Sequence, residues 1–319
     1  MNHSTPPPLS PLSHPTTPLN GVARLSHWGI IRLTGEDAAK FIHSQLSQDF
    51  VLLGQDMARL AAFCSAKGRM QASFIGFKHA DGEILLLCSH DILSATLKRL
   101  SMFVLRAKVR LSDATDELAI YGLAGDAVKT IAAPAYSAWS RSDSDTQTLI
   151  HLYPADQTPR QLLIAPASAP PPAGAELALP IWLWGEVRSG VAMLSAAVVD
   201  AFVPQMLNYE SVGGVNFKKG CYPGQEVVAR SQFRGTLKRR AFLVHAEAAM
   251  AAGDAIFASG DADQPVATVV QAAPAPQGGF DAIISAQLVA VEGGALHLGQ
   301  CDGPILQVLP LPYRLLEDV

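Results

Sequence analysis

Charge is scarce in this sequence. Only 16% of its 319 residues are Asp, Glu, Lys or Arg, against about 25% in an average soluble domain. Aromatic residues make up 7%, and the formal net charge is −4, so no global basic field would draw the chain to nucleic acid or anionic lipid. No stretch approaches the ~18 uninterrupted apolar residues of a membrane span. The first residues lack a charged region followed by an apolar one, so no secretory signal is expected either. Four cysteines (Cys64, Cys88, Cys221, Cys301) are scattered without CxxC or CxxC…HxxxH spacing. That argues against a disulfide framework and a closed zinc site. There is no GxxxxGK[ST], GxGxxG or GxSxG, which leaves nucleotide binding and serine hydrolysis without support. What remains abundant is apolar material, 49% of residues, enough for a large core. The expectation is a protein of a reducing compartment, most simply cytoplasmic.

Composition divides the chain. Residues 1–20 are rich in Pro, Ser and Thr without apolar periodicity and read as a disordered leader. Order is expected from about Val22. HWGIIRLTG reads as a strand, and Thr34 is placed to cap a helix carrying Glu36 and Asp37 in its first turn, with Phe41, Ile42 and Leu46 on its apolar face. MARLAAFCSA and MQASFIGFK read as strands joined by a turn at Lys67-Gly68, followed by the strand EILLLCS, the helix DILSATLKRLSMFVL and the strand AKVRLSD. DELAIYGLAG, DAVKTIAAPA, QTLIHLY and RQLLIAP continue the mixture, so 21–167 is expected to be α+β. ASAPPPAGAELALP is a break; WLWGEVRSGVAML then reads as helical and 204–235 as a polar, glycine-rich segment. Residues 180–236 are expected to join 21–167 as two interleaved α+β subdomains. From 237 to 319 short β-like runs broken by Gly, Pro and Asp suggest an antiparallel barrel or sandwich.

Chemistry concentrates between Lys218 and Arg240. That stretch holds seven basic residues (Lys218, Lys219, Arg230, Arg234, Lys238, Arg239, Arg240) and one acid, Glu226, a net of +6 that leaves −10 for the rest. A cationic patch on an anionic body points to an anionic ligand, or else to a solvated, salt-bridged loop. Within it lies Lys219-Gly220-Cys221-Tyr222-Pro223-Gly224-Gln225-Glu226. Two glycines and a proline make a tight turn with exposed backbone N–H groups. Gln225 and Glu226 offer an amide and a carboxylate able to read a heterocycle's edge. Cys221 beside Lys218 and Lys219 has neighbours that favour a thiolate. Lys67-Gly68-Arg69 reads as a hairpin turn, the basic group Lys98 to Arg110 as an amphipathic face, and Asp49 as a helix boundary or a polar group in a channel. The nine histidines show no metal-ligand spacing.

The run FKKGCYPGQEVVAR closely resembles the K-G-C-[YF]-x-G-Q-E signature of the YgfZ family of folate-binding proteins, relatives of the glycine cleavage T-protein (aminomethyltransferase). LTGEDAAKFIHSQLSQD, FCSAKGRMQA, LKRLSMFVLRAKV, VPQMLNYESVGGVNFKKG and the terminal LPLPYRL are similar to other family blocks, so the likeness covers about 22–319. The resemblance implies an α+β, T-protein-like multidomain fold around a central folate channel, closed by a C-terminal antiparallel β-barrel. It implies tetrahydrofolate as cofactor and a role in assembling or repairing iron–sulfur proteins, including enzymes that modify tRNA. Transient iron–sulfur partners, a monomer, and no direct membrane or nucleic-acid contact are the matching expectations.

Under that likeness Trp28 and Trp182 correspond to the tryptophans at the folate, whose flat rings suit a large aromatic face. Trp139 and Trp184 are assigned to packing. Tyr222, Gln225, Glu226 and Arg230 are further candidates for folate binding, the cationic patch for its anionic tail, and Cys221 with Lys219 for catalysis. The signature is the YgfZ type rather than the T-protein type, and no carboxylate stands out as the acid that aminomethyl transfer uses beside folate. Two alternatives stay open: a folate-dependent aminomethyl or methyl transferase of the T-protein type, and a module that grips a partner through the same channel.

Overall fold

The computed structural model describes residues 18–129, 137–144, 146–233, 237–260 and 264–316. Most of the leader, much of DAVKTIAAPA and Arg234 fall outside them. The chain begins with β1 (Gly21–Arg24), β2 (Trp28–Thr34), α1 (Ala38–His43), β3 (Arg59–Cys64), β4 (Met70–Lys78) and β5 (Ile84–Ser89). It continues with α2 (His90–Ser101), β6 (Arg110–Asp113), β7 (Leu118–Ala124), β8 (Arg141–Asp143), β9 (Thr148–His151), β10 (Arg160–Pro166), α3 (Leu179–Arg188) and α4 (Gln225–Phe233). The last third holds β11 (Arg239–Ala246), β12 (Ala255–Ala258), β13 (Ala267–Pro274), β14 (Phe280–Gln287), α5 (Leu288–Gly293), β15 (Leu296–Leu298) and β16 (Ile305–Leu309).

Three antiparallel sheets result. One has the order β3-β4-β5-β2-β6, another β1-β7-β10-β9-β8, and the third closes on itself as β11-β14-β13-β12-β15-β16. Closure removes the unpaired edges that six short strands would otherwise expose. The two open sheets share one core, which the outer residues Ala241, Leu243, Val270 and Ile283 of the barrel also join. This explains why β2, β4 and β10 read as nearly continuous apolar runs: both of their faces are covered.

Several local expectations are corrected. Thr34 is the last residue of β2 and caps nothing; Gly35 follows at φ +113° and α1 starts only at Ala38, where Asp37 accepts a bond from the Lys108 backbone N–H at 2.8 Å. The helix expected over 91–105 stops at Ser101, and α3 stops at Arg188, before VAML. DAIISAQLVAV is a strand only to Gln287, its last residues forming α5. The polar segment after 204 holds an unforeseen helix, α4.

Residues 18–20, counted with the disordered leader, are ordered. Leu19 is fully buried and packs on Gly185 of α3, where a Cβ would come within 2.8 Å of it. Asn20 exchanges two hydrogen bonds with Asp126, at 2.9 and 3.0 Å. Removing a fully buried leucine side chain costs about 2–5 kcal/mol, so Leu19→Ala should lower the urea midpoint of unfolding clearly. An unchanged midpoint would show that this segment does not dock on α3.

Candidate functional site

Where the two open sheets meet the barrel, α3 inserts a carboxylate into the core. Glu186 lies four residues, one helical turn, after Trp182 and on the same face. Its Oε1 accepts the indole N–H of Trp182 at 2.7 Å and that of Trp28 at 3.1 Å. His27 Nε2 stands 3.2 Å from Oε1 and 3.3 Å from Oε2, and Gln271 Nε2 donates to Oε2 at 3.2 Å. β2, α3 and the barrel strand β13 therefore converge on one group. A register shift in β13 between Val269 and Gln271 accompanies the turn of Gln271 toward it. Burial pushes the Glu186 carboxyl up, but His27, Arg160 and the Trp182 N–H together outweigh it and hold it below the usual carboxylate range.

Behind the carboxylate, Arg160 opens β10. Its guanidinium stacks over the Trp182 ring at 5.2 Å and donates from Nε and Nη2 to the Tyr153 carbonyl at 3.2 and 3.1 Å. Nη1 is buried and has no hydrogen-bond partner. Burial pulls the Arg160 pKa down to about 10, with Glu186 acting the other way, so the cation persists at neutral pH. Trp139 and Tyr153 pack edge to face at 5.8 Å and complete the wall. Trp139 sits at φ +72°, a conformation that costs a bulky residue of order 1–3 kcal/mol; its indole N–H bonds the Val212 carbonyl at 2.9 Å.

These groups line two neighbouring hollows. A slit of about 20 Å³ lies among Trp28, Trp139, Tyr153, Arg160 and Glu186, and a vestibule of about 210 Å³ opens past His27, Trp28, Leu183, Glu186 and Gln271. Trp28, Glu186 and Met193 belong to both. A cavity of about 540 Å³ exists elsewhere, beside Trp184, Arg188, His245 and Asp281. There Asp281 already accepts Trp184 Nε1 at 2.7 Å and pairs with His245 Nδ1 at 2.8 Å. Arg160 also borders a cavity of about 440 Å³ beside His151 and Pro154, so the buried Glu186 carboxylate, not size, distinguishes the slit.

The residues expected at the site separate into two places. Trp28 lines both hollows. Trp182 does not: it is fully buried, its ring pressed on Gly122, where a Cβ would come within 2.5 Å. Its indole N–H holds Glu186. Trp139, assigned to packing, is a slit wall, whereas Trp184 is packed as expected. Glu186, Arg160, His27 and Gln271 were not singled out. The available signal was one carboxylate in the otherwise apolar LPIWLWGEV and one arginine heading the strand RQLLIA.

Cys221, Lys219, Tyr222, Gln225, Glu226 and Arg230 line neither hollow. Lys219 is buried, its Nζ donating to the carbonyls of His43 at 2.6 Å and Leu46 at 2.9 Å beyond α1, 4.6 Å above the Tyr222 ring. Burial lowers its pKa to about 8, while Asp49 and Cys221 act to raise it. Cys221 is exposed and Tyr222 buried; Gln225 and Glu226 form the first turn of α4, where Glu226 pairs with Arg230 at 2.8 Å. The +6 segment is therefore not one cationic surface. Arg240 is buried against Glu210 at 2.7 Å and Lys219 is spent on carbonyls; among the described basic residues Lys218, Lys238 and Arg230 are exposed, the last paired with Glu226, and Arg239 is half-buried. Lys67-Gly68-Arg69 is no free turn: Gly68 packs on Gly224 and Val227. Asp49 pairs with His43 Nδ1 at 3.0 Å.

No family model matches the chain. Its architecture is similar to the glycine cleavage system aminomethyltransferase T from Bartonella henselae, with a TM-score of 0.66 and 12% identity over 92% of this chain and 86% of that one. The fold is T-protein-like. Heterotetrameric sarcosine oxidase from Corynebacterium sp. U-96 aligns with a TM-score of 0.31 and 13% identity, over 46% of this chain and 75% of that one. Within the T-protein-like frame, the buried charge can be tested by substitution. Glu186→Gln should cost about 2–4 kcal/mol at neutral pH, because Arg160 and its N–H partners lose their counter-charge. The Glu186 pKa is lowered by folding, so its contribution is full above pH ~4.5 and declines as pH falls below that. The gap between wild type and Glu186→Gln in urea unfolding should then narrow from pH 6 to pH 3.5; a constant gap would contradict an ionised Glu186.

Proposed function

We propose that the protein binds tetrahydrofolate in the Trp28–Glu186 vestibule and serves, like the YgfZ family it resembles, as an accessory factor for iron–sulfur protein assembly or repair. The observation that carries this reading is a buried carboxylate and a buried, unpartnered arginine N–H set in a frame of aromatic rings. A reduced pterin presents N–H donors and a carbonyl acceptor around a flat ring, and this donor set matches it. Glu186 Oε2, held only by contacts of 3.2 and 3.3 Å, retains acceptor capacity for ring N–H groups. Arg160 Nη1 supplies the missing donor for a carbonyl. Trp28 offers the stacking face.

Size sets a condition. Slit and vestibule together fall below the ~300 Å³ of ordinary ligand pockets, so the vestibule takes a bicyclic ring and the Trp139–Tyr153 wall must yield for anything longer. When bound, tetrahydrofolate would carry a one-carbon unit on its reduced ring; the residues of this chain would hold and orient it and exclude water from its inner edge.

A second reading, aminomethyl transfer of the T-protein kind, gains support from Glu186, an acid beside the candidate folate seat that the sequence did not reveal. It is separated from the first by supplying an aminomethyl-lipoyl carrier protein and assaying one-carbon transfer to tetrahydrofolate. The accessory reading expects no turnover, and expects that deleting the protein lowers the activity of iron–sulfur enzymes that modify tRNA.

Calorimetric titration with tetrahydrofolate tests the seat itself. Trp28→Ala should weaken binding about tenfold through the lost stacking face, Arg160→Met should weaken it at least as much, and Cys221→Ser should leave it unchanged. Equal affinity in wild type, Trp28→Ala and Arg160→Met would remove the proposed seat.

A further inference from the structure

The slit is backed by a segment from the last third of the chain. Pro310 and Pro312 carry no backbone N–H, and the ladder of the barrel stops at Leu309, the last residue of β16. Residues 310–316 leave the barrel as a strap and cross to the end of α3. There Tyr313 Oη donates to the Gly190 carbonyl at 2.8 Å and accepts from Asn208 Nδ2 at 3.3 Å. Gly190 has φ +67°, and a Cβ on it would come within 2.9 Å of the Tyr313 ring and 3.3 Å of Leu311 and Pro312. Further along, the Leu316 N–H donates to Ser211 Oγ at 3.0 Å, and the Leu316 carbonyl accepts from Arg240 Nη2 at 3.2 Å.

Two parts of the slit wall rest on this strap. Ser189 and Val191 line the slit, and the carbonyl that Tyr313 holds belongs to Gly190 between them. Tyr153, also in the wall, meets Trp139 edge to face at 5.8 Å, and its ring meets that of Tyr313 at 5.7 Å and 73°. Three rings thus run from the slit to the strap, with Tyr153 in the middle. In a close-packed interior Tyr153 has no room to retreat from the slit while Tyr313 stands behind it. The strap itself is a surface element. Pro310, Pro312, Arg314 and Leu316 are exposed, so it can lift without opening the core.

We propose that this strap sets which reduced pterins the seat accepts, with Tyr313 as its positioning residue. Closed, the strap keeps Tyr153 and the Gly190 turn in place, and the hollows of about 20 and 210 Å³ suit a bicyclic ring alone. Tetrahydrofolate adds an aminobenzoyl ring and a glutamate to that bicycle. It is taken only as Tyr153 moves into the place of Tyr313 and the strap lifts. The inference rests on the folate reading of the vestibule and names the part of the chain that decides there between a bare pterin and a full folate.

The test titrates the full chain by calorimetry with tetrahydropterin, the bare bicycle, and with tetrahydrofolate. In each complex it also follows hydrogen exchange of the peptide that contains Leu311 to Leu316. Tetrahydrofolate should speed exchange in this peptide, and tetrahydropterin should leave it as in the free chain. Tyr313→Ala removes the ring contact and the bond to Gly190, so it should raise the affinity for tetrahydrofolate relative to tetrahydropterin about tenfold. Tyr313→Phe keeps a ring behind Tyr153 and should move that ratio less. A merely structural Tyr313 would lower both affinities alike. If Tyr313→Ala does not fold, the wild-type exchange decides by itself. An unchanged affinity ratio in a folded Tyr313→Ala, or strap exchange that is the same in both complexes, would overturn the proposal and leave the seat standing. Binding of neither ligand by wild type would remove the seat, and this inference with it.

Discussion

The carboxylate of Glu186, buried where the three sheets meet, constrains this molecule. Glu186 cannot be buried alone, because an isolated charge away from water costs many kcal/mol. Its partners are therefore drawn from separate parts of the chain: His27 and Trp28 from the first open sheet, Trp182 from its own helix, and Gln271 from the barrel. Arg160, from the second open sheet, balances the charge from behind. Each partner is specific in geometry, so the carboxylate fixes how the three sheets meet. The barrel is tied to the rest by the same side chain that gives the vestibule its polarity.

The junction of the sheets and the elbow are separate places in one fold. At the junction of the sheets, aromatic walls and a buried pair of opposite charges suit recognition of a flat, polar ring. At the elbow beyond α1 an exposed thiol rests on a rigid support. A buried lysine serves there as an anchor: burial lowers its pKa, while its bonds to the His43 and Leu46 carbonyls fix the path of the loop. The junction and the elbow thus rest on different residues, and a substitution at one need not disturb the other.

Much of the architecture was legible from periodicity. The strands of the open sheets and the closed barrel follow from apolar runs bounded by Gly, Pro and Asp, and the signature segment was visible from its unusual residues. Helix ends were less legible. Thr34 looked like a cap because Glu36 and Asp37 follow it, but the ladder of β2 with β6 extends through Thr34 and keeps it in a strand. α4 was missed because glycine and proline dominate the segment before it. The site was hardest to read, since its members lie far apart in sequence and each is ordinary by itself. An Arg at a strand start and a Glu in a helix acquire meaning only when the fold brings them to the same cavity. Trp182 shows the converse: a tryptophan of the right type in the right region, turned by Gly122 into a buried support.

The most direct measurement is a carbon-13 NMR titration of the Glu186 side-chain carboxyl, identified by its loss in Glu186→Gln, in the absence and presence of tetrahydrofolate. The account predicts that Glu186 remains ionised down to a pH below that of a free glutamate, and that its resonance shifts when the folate is added. A carboxyl that protonates above pH ~4.5, or one whose signal ignores saturating tetrahydrofolate, would contradict it.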